Sequence, residues 1–175
     1  MPDMRISFAI AVVAVATIFA IMAISVSIDA QSFIRTWGSL GKADGQFKGP
    51  TGIIEDFGSN TLYVVDGGND RIQKFTNNGD FLAKFGTSGN GEGQFQDPEG
   101  VAIDSKGNIF VADTNNHRIQ KFDNNGNFIT MWGSEGTGDY QFIEPTSVAV
   151  DSQDNIYVVD MGAQKIKVFG FSPPQ

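Results

Sequence analysis

The chain has 175 residues, no cysteine and one histidine, and its 12 Lys and Arg against 20 Asp and Glu give a formal net charge of −8. Without cysteine, disulfides and thiolate chemistry are excluded, and one histidine is too few for a catalytic zinc centre. The acidic balance repels phosphate backbones, so nucleic acid is not an expected partner.

Residues 1–30 read as a signal peptide or an N-terminal membrane anchor. The run from Ile6 to Ile28 carries no charge, follows Arg5 and ends among the small residues Ser25, Ser27 and Ala30. The small residues favour cleavage, while the length also suits a bilayer span. Either way residues 31–175 are expected outside the cytoplasm, with membrane contact only through an uncleaved leader. An exported domain without disulfides must hold together by packing.

After the leader, one pattern recurs three times, in copies of about 33–80, 81–127 and 128–170. Phe33-Ile34-Arg35-Thr36-Trp37-Gly38 returns as Phe81-Leu82-Ala83-Lys84-Phe85-Gly86 and as Phe128-Ile129-Thr130-Met131-Trp132-Gly133. Gln46-Phe47 returns as Gln94-Phe95 and Gln141-Phe142, and one extra residue sits between Asp56 and Tyr63. A period in this range marks propeller blades or a solenoid, units that bury a core only by stacking.

The middle copy predicts four short strands. Gly100–Asp104 leads through a turn at Gly107 to Ile109–Asp113, then Arg118–Phe122, then a turn at 123–127 and Phe128–Trp132. Short antiparallel strands joined by tight turns have the layout of a propeller blade, and apolar residues on both strand faces suit a blade packed between neighbours. The glycine-rich stretch 86–93 leads into a strand rather than a helix, so it reads as a flexible loop and not a phosphate cradle.

Val111-Ala112-Asp113 followed by Asn116-His117-Arg118-Ile119-Gln120-Lys121-Phe122 resembles the NHL repeat family, as does Val64-Val65-Asp66 with Asn69-Asp70-Arg71-Ile72-Gln73-Lys74-Phe75. The third copy keeps Asp160 but has Ala163 and Lys165 at the Asn and Arg positions. The resemblance implies an all-β fold of β-propeller blades, with strands a to d running outward from the axis. The chain opens on a d strand, Phe33–Trp37, and its last copy supplies only a, b and c. An N-terminal d strand completing a C-terminal abc blade is how such propellers close, as the resemblance implies. Three blades are too few for a ring, so the favoured expectation is a six-bladed homodimer, each copy's first strand completing the other's last blade, with an open three-blade arc or a piece of a longer chain as the alternatives.

The loops from d to a and from b to c share one rim, which collects Asp44, Glu92 and Asp139 at matching positions, with Asp97, Glu144 and Glu99 nearby. These six are the candidate binding residues. Asp66 with Arg71 and Asp113 with Arg118 are expected to form bidentate pairs fixing each hairpin, Asn69 and Asn116 taking the left-handed turn between them. Asp160 is their counterpart in the third copy. The aromatics Trp37, Phe85 and Trp132, and Phe47, Phe95 and Phe142, are expected to pack between blades. No cofactor is expected; convergent carboxylates leave calcium as the one ion with a chemical case.

These features point to an exported, non-enzymatic module binding a protein, peptide or glycan at the loop rim. The alternative is a metal-dependent enzyme similar to lyase or lactonase-like propellers, with oxygen ligands over the central channel.

Overall fold

The computed structural model describes residues 32–170, so the leader expected over 1–30 lies outside the described residues. Contacts divide the chain at Arg35/Thr36, and every strand belongs to the unit that begins at Thr36.

The first sheet comprises β1 (Pro50–Asp56), β2 (Thr61–Asp66), β3 (Arg71–Thr76) and β4 (Phe81–Phe85), antiparallel in sequence order. The loop that follows is closed by a two-residue parallel ladder between β5 (Thr87–Ser88) and β6 (Gln94–Phe95). The stretch expected to be a flexible loop is thus held shut, and Gln94 Oε1 accepts the Gly91 N–H across it at 2.8 Å. The second sheet comprises β7 (Pro98–Ile103), β8 (Ile109–Asp113), β9 (Arg118–Phe122) and β10 (Phe128–Trp132). The third has β11 (Pro145–Val150), β12 (Ile156–Asp160) and β13 (Lys165–Phe169), with no outer neighbour to β13 among the described residues. Among the described residues, no sheet closes on itself.

The extra residue of the first copy lies in the β1–β2 hairpin, at positions 57–60. The expected strand Phe33–Trp37 is not one. A strand needs a ladder partner for its N–H and C=O groups, and none of the described strands pairs with it.

The core lies in two slabs between sheets. Tyr63, Val65 and Ile72 of the first sheet pack on Val101, Ile109, Val111 and Phe122 of the second. Phe110, Ala112 and Ile119 on its other face meet Val148, Ile156 and Val158 of the third. This explains why β8 is apolar on both faces and wholly buried. The repeated aromatics join the sheets: Phe85 lies 4.9 Å from Phe122, and Trp132 lies 5.7 Å from Phe169, centroid to centroid.

Candidate functional site

The inner strands β1, β7 and β11 lie side by side, and two glycines let them approach. A Cβ on Gly52 would stand 2.7 Å from the Glu99 carbonyl oxygen, and one on Gly100 would stand 2.7 Å from Ser147 Cα. The result is an open groove of about 460 Å³ floored by Thr51, Gly52, Ile53, Gly100, Thr146 and Ser147, with Glu99 on its wall. Thr51 is tied down, its hydroxyl donating to the Pro98 carbonyl at 3.2 Å. Burial pushes the Glu99 carboxyl above its ordinary value, and the nearby charges of Asp97 and Glu144 push it the same way. Of the six predicted binding residues, Glu99 alone lines the groove, and Asp97 and Glu144 act on it only through their charge.

The other three do not join them. Asp44 is exposed and paired with Lys84 Nζ at 2.5 Å, with Arg71 Nη1 at 3.9 Å. Glu92 is exposed on its own loop, and Asp139 lies beside the edge of β13. Among the described residues, no three His, Cys, Asp or Glu side chains gather closely enough to hold a metal ion.

Behind the groove stands a buried polar network, the same in the first two sheets. Asp113 Oδ2 accepts Arg118 Nε at 2.7 Å and Gln120 Nε2 at 2.9 Å, while Oδ1 accepts the Gln96 N–H at 2.8 Å. Asp66 does the same with Arg71 at 2.7 Å, Gln73 at 3.1 Å and the Lys48 N–H at 2.7 Å. The expected bidentate pairing is corrected here. Only Nε meets the carboxylate, and Arg118 Nη2 instead donates to the Gly91 and Gln94 carbonyls, fastening the preceding loop to the hairpin. Nor do the asparagines take the left-handed turn. Asp70, His117 and Gln164 do, at φ 52°, 54° and 55°, which frees Asn69 and Asn116 to reach back to both carboxylate oxygens of Asp66 and Asp113.

The third copy substitutes a different cation. Lys165, at the Arg position, is exposed. Lys167, at the Gln position, places Nζ 3.4 Å from Asp160 Oδ2 and donates to the carbonyls of Gly138 and Gln141. Burial raises the Asp160 carboxyl, but the Glu144 and Ile143 N–H groups and Lys167 outweigh it and hold it below its ordinary value.

Sequence reasoning missed a second family of aspartates that shape the hairpins at the other rim. Asp104 accepts the N–H groups of Lys106 and Asn108 and the Asn108 amide, and Asp123 and Asp151 accept the same set from residues two and four positions on. The signal is the spacing Asp-x-x-x-Asn, present four times, though at Asp56–Asn60 the carboxylate accepts the Gly58 and Ser59 N–H groups instead.

The NHL repeat family model matches residues 95–122, from the end of the closed loop through β9. No curated protein matches the sequence. Among solved structures, a structural genomics protein of unknown function from Bacteroides thetaiotaomicron superposes with a TM-score of 0.59 at 17% identity, over 75% of this chain and 37% of that one. A chain of the nidogen/laminin complex gives 0.54 at 20% identity, over 71% and 44%. Virginiamycin B lyase from Staphylococcus aureus gives 0.51 at 16% identity, over 71% and 42%. The likeness at these identities is one of fold, and the chain spans less than half the length of each of these structures.

Proposed function

We propose that this chain, which carries an NHL repeat in a β-propeller-like fold, is an exported, non-enzymatic binding module that takes a basic peptide or protein segment at its inner-strand groove. The observation that carries this reading is the groove wall, where Glu99 sits in the field of Asp97 and Glu144 above a floor of glycine and hydroxyl residues. A floor of small residues admits an extended chain close to the backbone, and clustered like charge favours a cationic ligand. The Asp66 and Asp113 networks act behind it as supports that fix the loops. The nidogen/laminin complex, one chain of which shares this fold, is a protein–protein assembly and supports this reading.

The test is titration of the protein with a labelled lysine-rich peptide and its glutamate-rich counterpart, followed by fluorescence anisotropy. The lysine-rich peptide should bind, with affinity falling about tenfold in Glu99→Gln, since losing one close charge pair costs roughly 1.4 kcal/mol. Because the Glu99 carboxyl is raised, affinity should fall with acidification at a higher pH than an ordinary glutamate allows. Equal binding of both peptides, or an unchanged Glu99→Gln, would refute the proposal.

A further inference from the structure

Among the described residues, the outer edge of β13 has no ladder partner. Its counterparts β3 and β9 are each covered by an outer strand, whereas β13 pairs only with β12. Along it runs a groove of about 450 Å³ between Ile166, Val168 and Phe169 on one side and Thr137, Asp139 and Tyr140 on the other.

The contacts inside the two complete sheets define what fits there. Each outer strand begins with a phenylalanine set edge-on against the phenylalanine at or next to the end of its neighbour: Phe81 on Phe75 and Phe128 on Phe122, both at 6.0 Å. Each ends with an aromatic that docks on the next sheet, Phe85 on Phe122 and Trp132 on Phe169. Phe85 also covers Gly126, its ring 2.6 Å from where a Cβ would stand. Trp37 makes both contacts with the first sheet, lying 6.3 Å from Phe75 and covering Gly79 at 2.9 Å. Trp37 therefore stands where the outer strand of a preceding sheet would end, although no strand pairs with its segment.

The exposed faces match in the same way. Tyr157, Val159 and Ile166 are 37%, 37% and 61% exposed, while their counterparts Tyr63, Val65 and Ile72 are at most 1% exposed inside the first slab. At the opposite end of the row, Ile53 is 57% exposed, against 8% for Val101 and 6% for Val148. One end thus carries the face that the other end's counterparts bury. The second sheet stands between the first, on which Trp37 packs, and the third, which carries β13.

We propose that the edge of β13 is completed by Phe33–Trp37 of a second copy of this chain, two copies closing on each other through two identical joints. Phe33 takes the edge-on place on Phe169, and the exposed face of the third sheet is buried against Ile53 and its neighbours on the partner. The groove floor of Thr146 and Ser147 then continues into the partner's Thr51 and Gly52.

The test uses the full-length chain with Arg35→Cys and Val168→Cys, positions equivalent to the paired Thr130 and Lys121. The protein has no cysteine of its own, so any cross-link belongs to this pair. Oxidation should give a band at twice the 18.9 kDa monomer mass that reduction removes, while each single variant gives none. Independently, Ile166→Asp should weaken association at least tenfold by sedimentation, without loss of the monomer fold. Absence of the cross-link, a ladder of higher multiples, a monomeric parent chain, or a dimer indifferent to Ile166→Asp would each overturn the proposal.

Discussion

Asp113 is fully buried and accepts donors from Arg118, Gln120, Asn116 and the Gln96 backbone, so its charge is satisfied many times over. Removing one partner leaves the other buried without compensation. Asp113→Ala strands the guanidinium of Arg118, which is itself only 6% exposed, and should cost about 3–5 kcal/mol. Arg118→Ala should cost a similar amount, because it also releases the Gly91 and Gln94 carbonyls. The double change should fall short of the sum by about 1–3 kcal/mol, since each single change already breaks the shared contact. Chemical denaturation of the four proteins measures this, and strict additivity would show that the two side chains act separately. The Asp-to-Arg spacing located the carboxylate and cation in the sequence. It could not show that the guanidinium fork spends its remaining donors on loop carbonyls, because those partners lie 24 to 28 residues away.

Hairpins were the most legible elements, since period, glycines and apolar runs all mark the same boundaries. β8, β9 and β10 have the expected limits, whereas the inner strands begin earlier, at Pro50, Pro98 and Pro145. A proline at a strand's first residue is consistent with its missing donor, and it hid the true start from pattern reading. Phe33–Trp37 has the sequence of an outer strand but no partner among the described strands, and pairing is a property of two strands. The Asp-x-x-x-Asn turns make a testable claim at this scale. Burial opposes ionisation of Asp104, but the Asn108 side chain and backbone and Lys121 outweigh it and hold the carboxyl below its ordinary 3.8. A lowered folded value means that stabilisation is complete above 3.8 and lost as pH falls through the folded value. Asp104→Asn should therefore lower the melting temperature at pH 7, corresponding to about 1–2 kcal/mol for weakened charge-assisted hydrogen bonds, and the gap should close in strong acid. A gap constant from pH 7 to pH 2 would show that the carboxylate charge is irrelevant to the hairpin.

Across the whole molecule, the joints between sheets are set at their inner ends by what stands where Gly52 and Gly100 allow contact. Any Cβ there meets backbone at 2.7 Å, closer than real contacts come, so glycine fixes the spacing of the first two joints. The third sheet carries Ser147 at that place. A joint between two copies built like the internal ones must open by a few tenths of an ångström around the serine side chain, loosening the contact of the third sheet with the partner's first. Overpacking of this size costs about 1–3 kcal/mol. Ser147→Gly should relieve it and tighten self-association roughly tenfold, which corresponds to about 1.4 kcal/mol. The melting temperature at high dilution should meanwhile stay level or fall slightly, since glycine loosens the unfolded chain without gaining a contact in the monomer. Sedimentation equilibrium over a dilution series separates the two effects. Association unchanged or weakened by Ser147→Gly would mean that the copies meet elsewhere than at their inner strands, and that the internal joints are no guide to the one between chains.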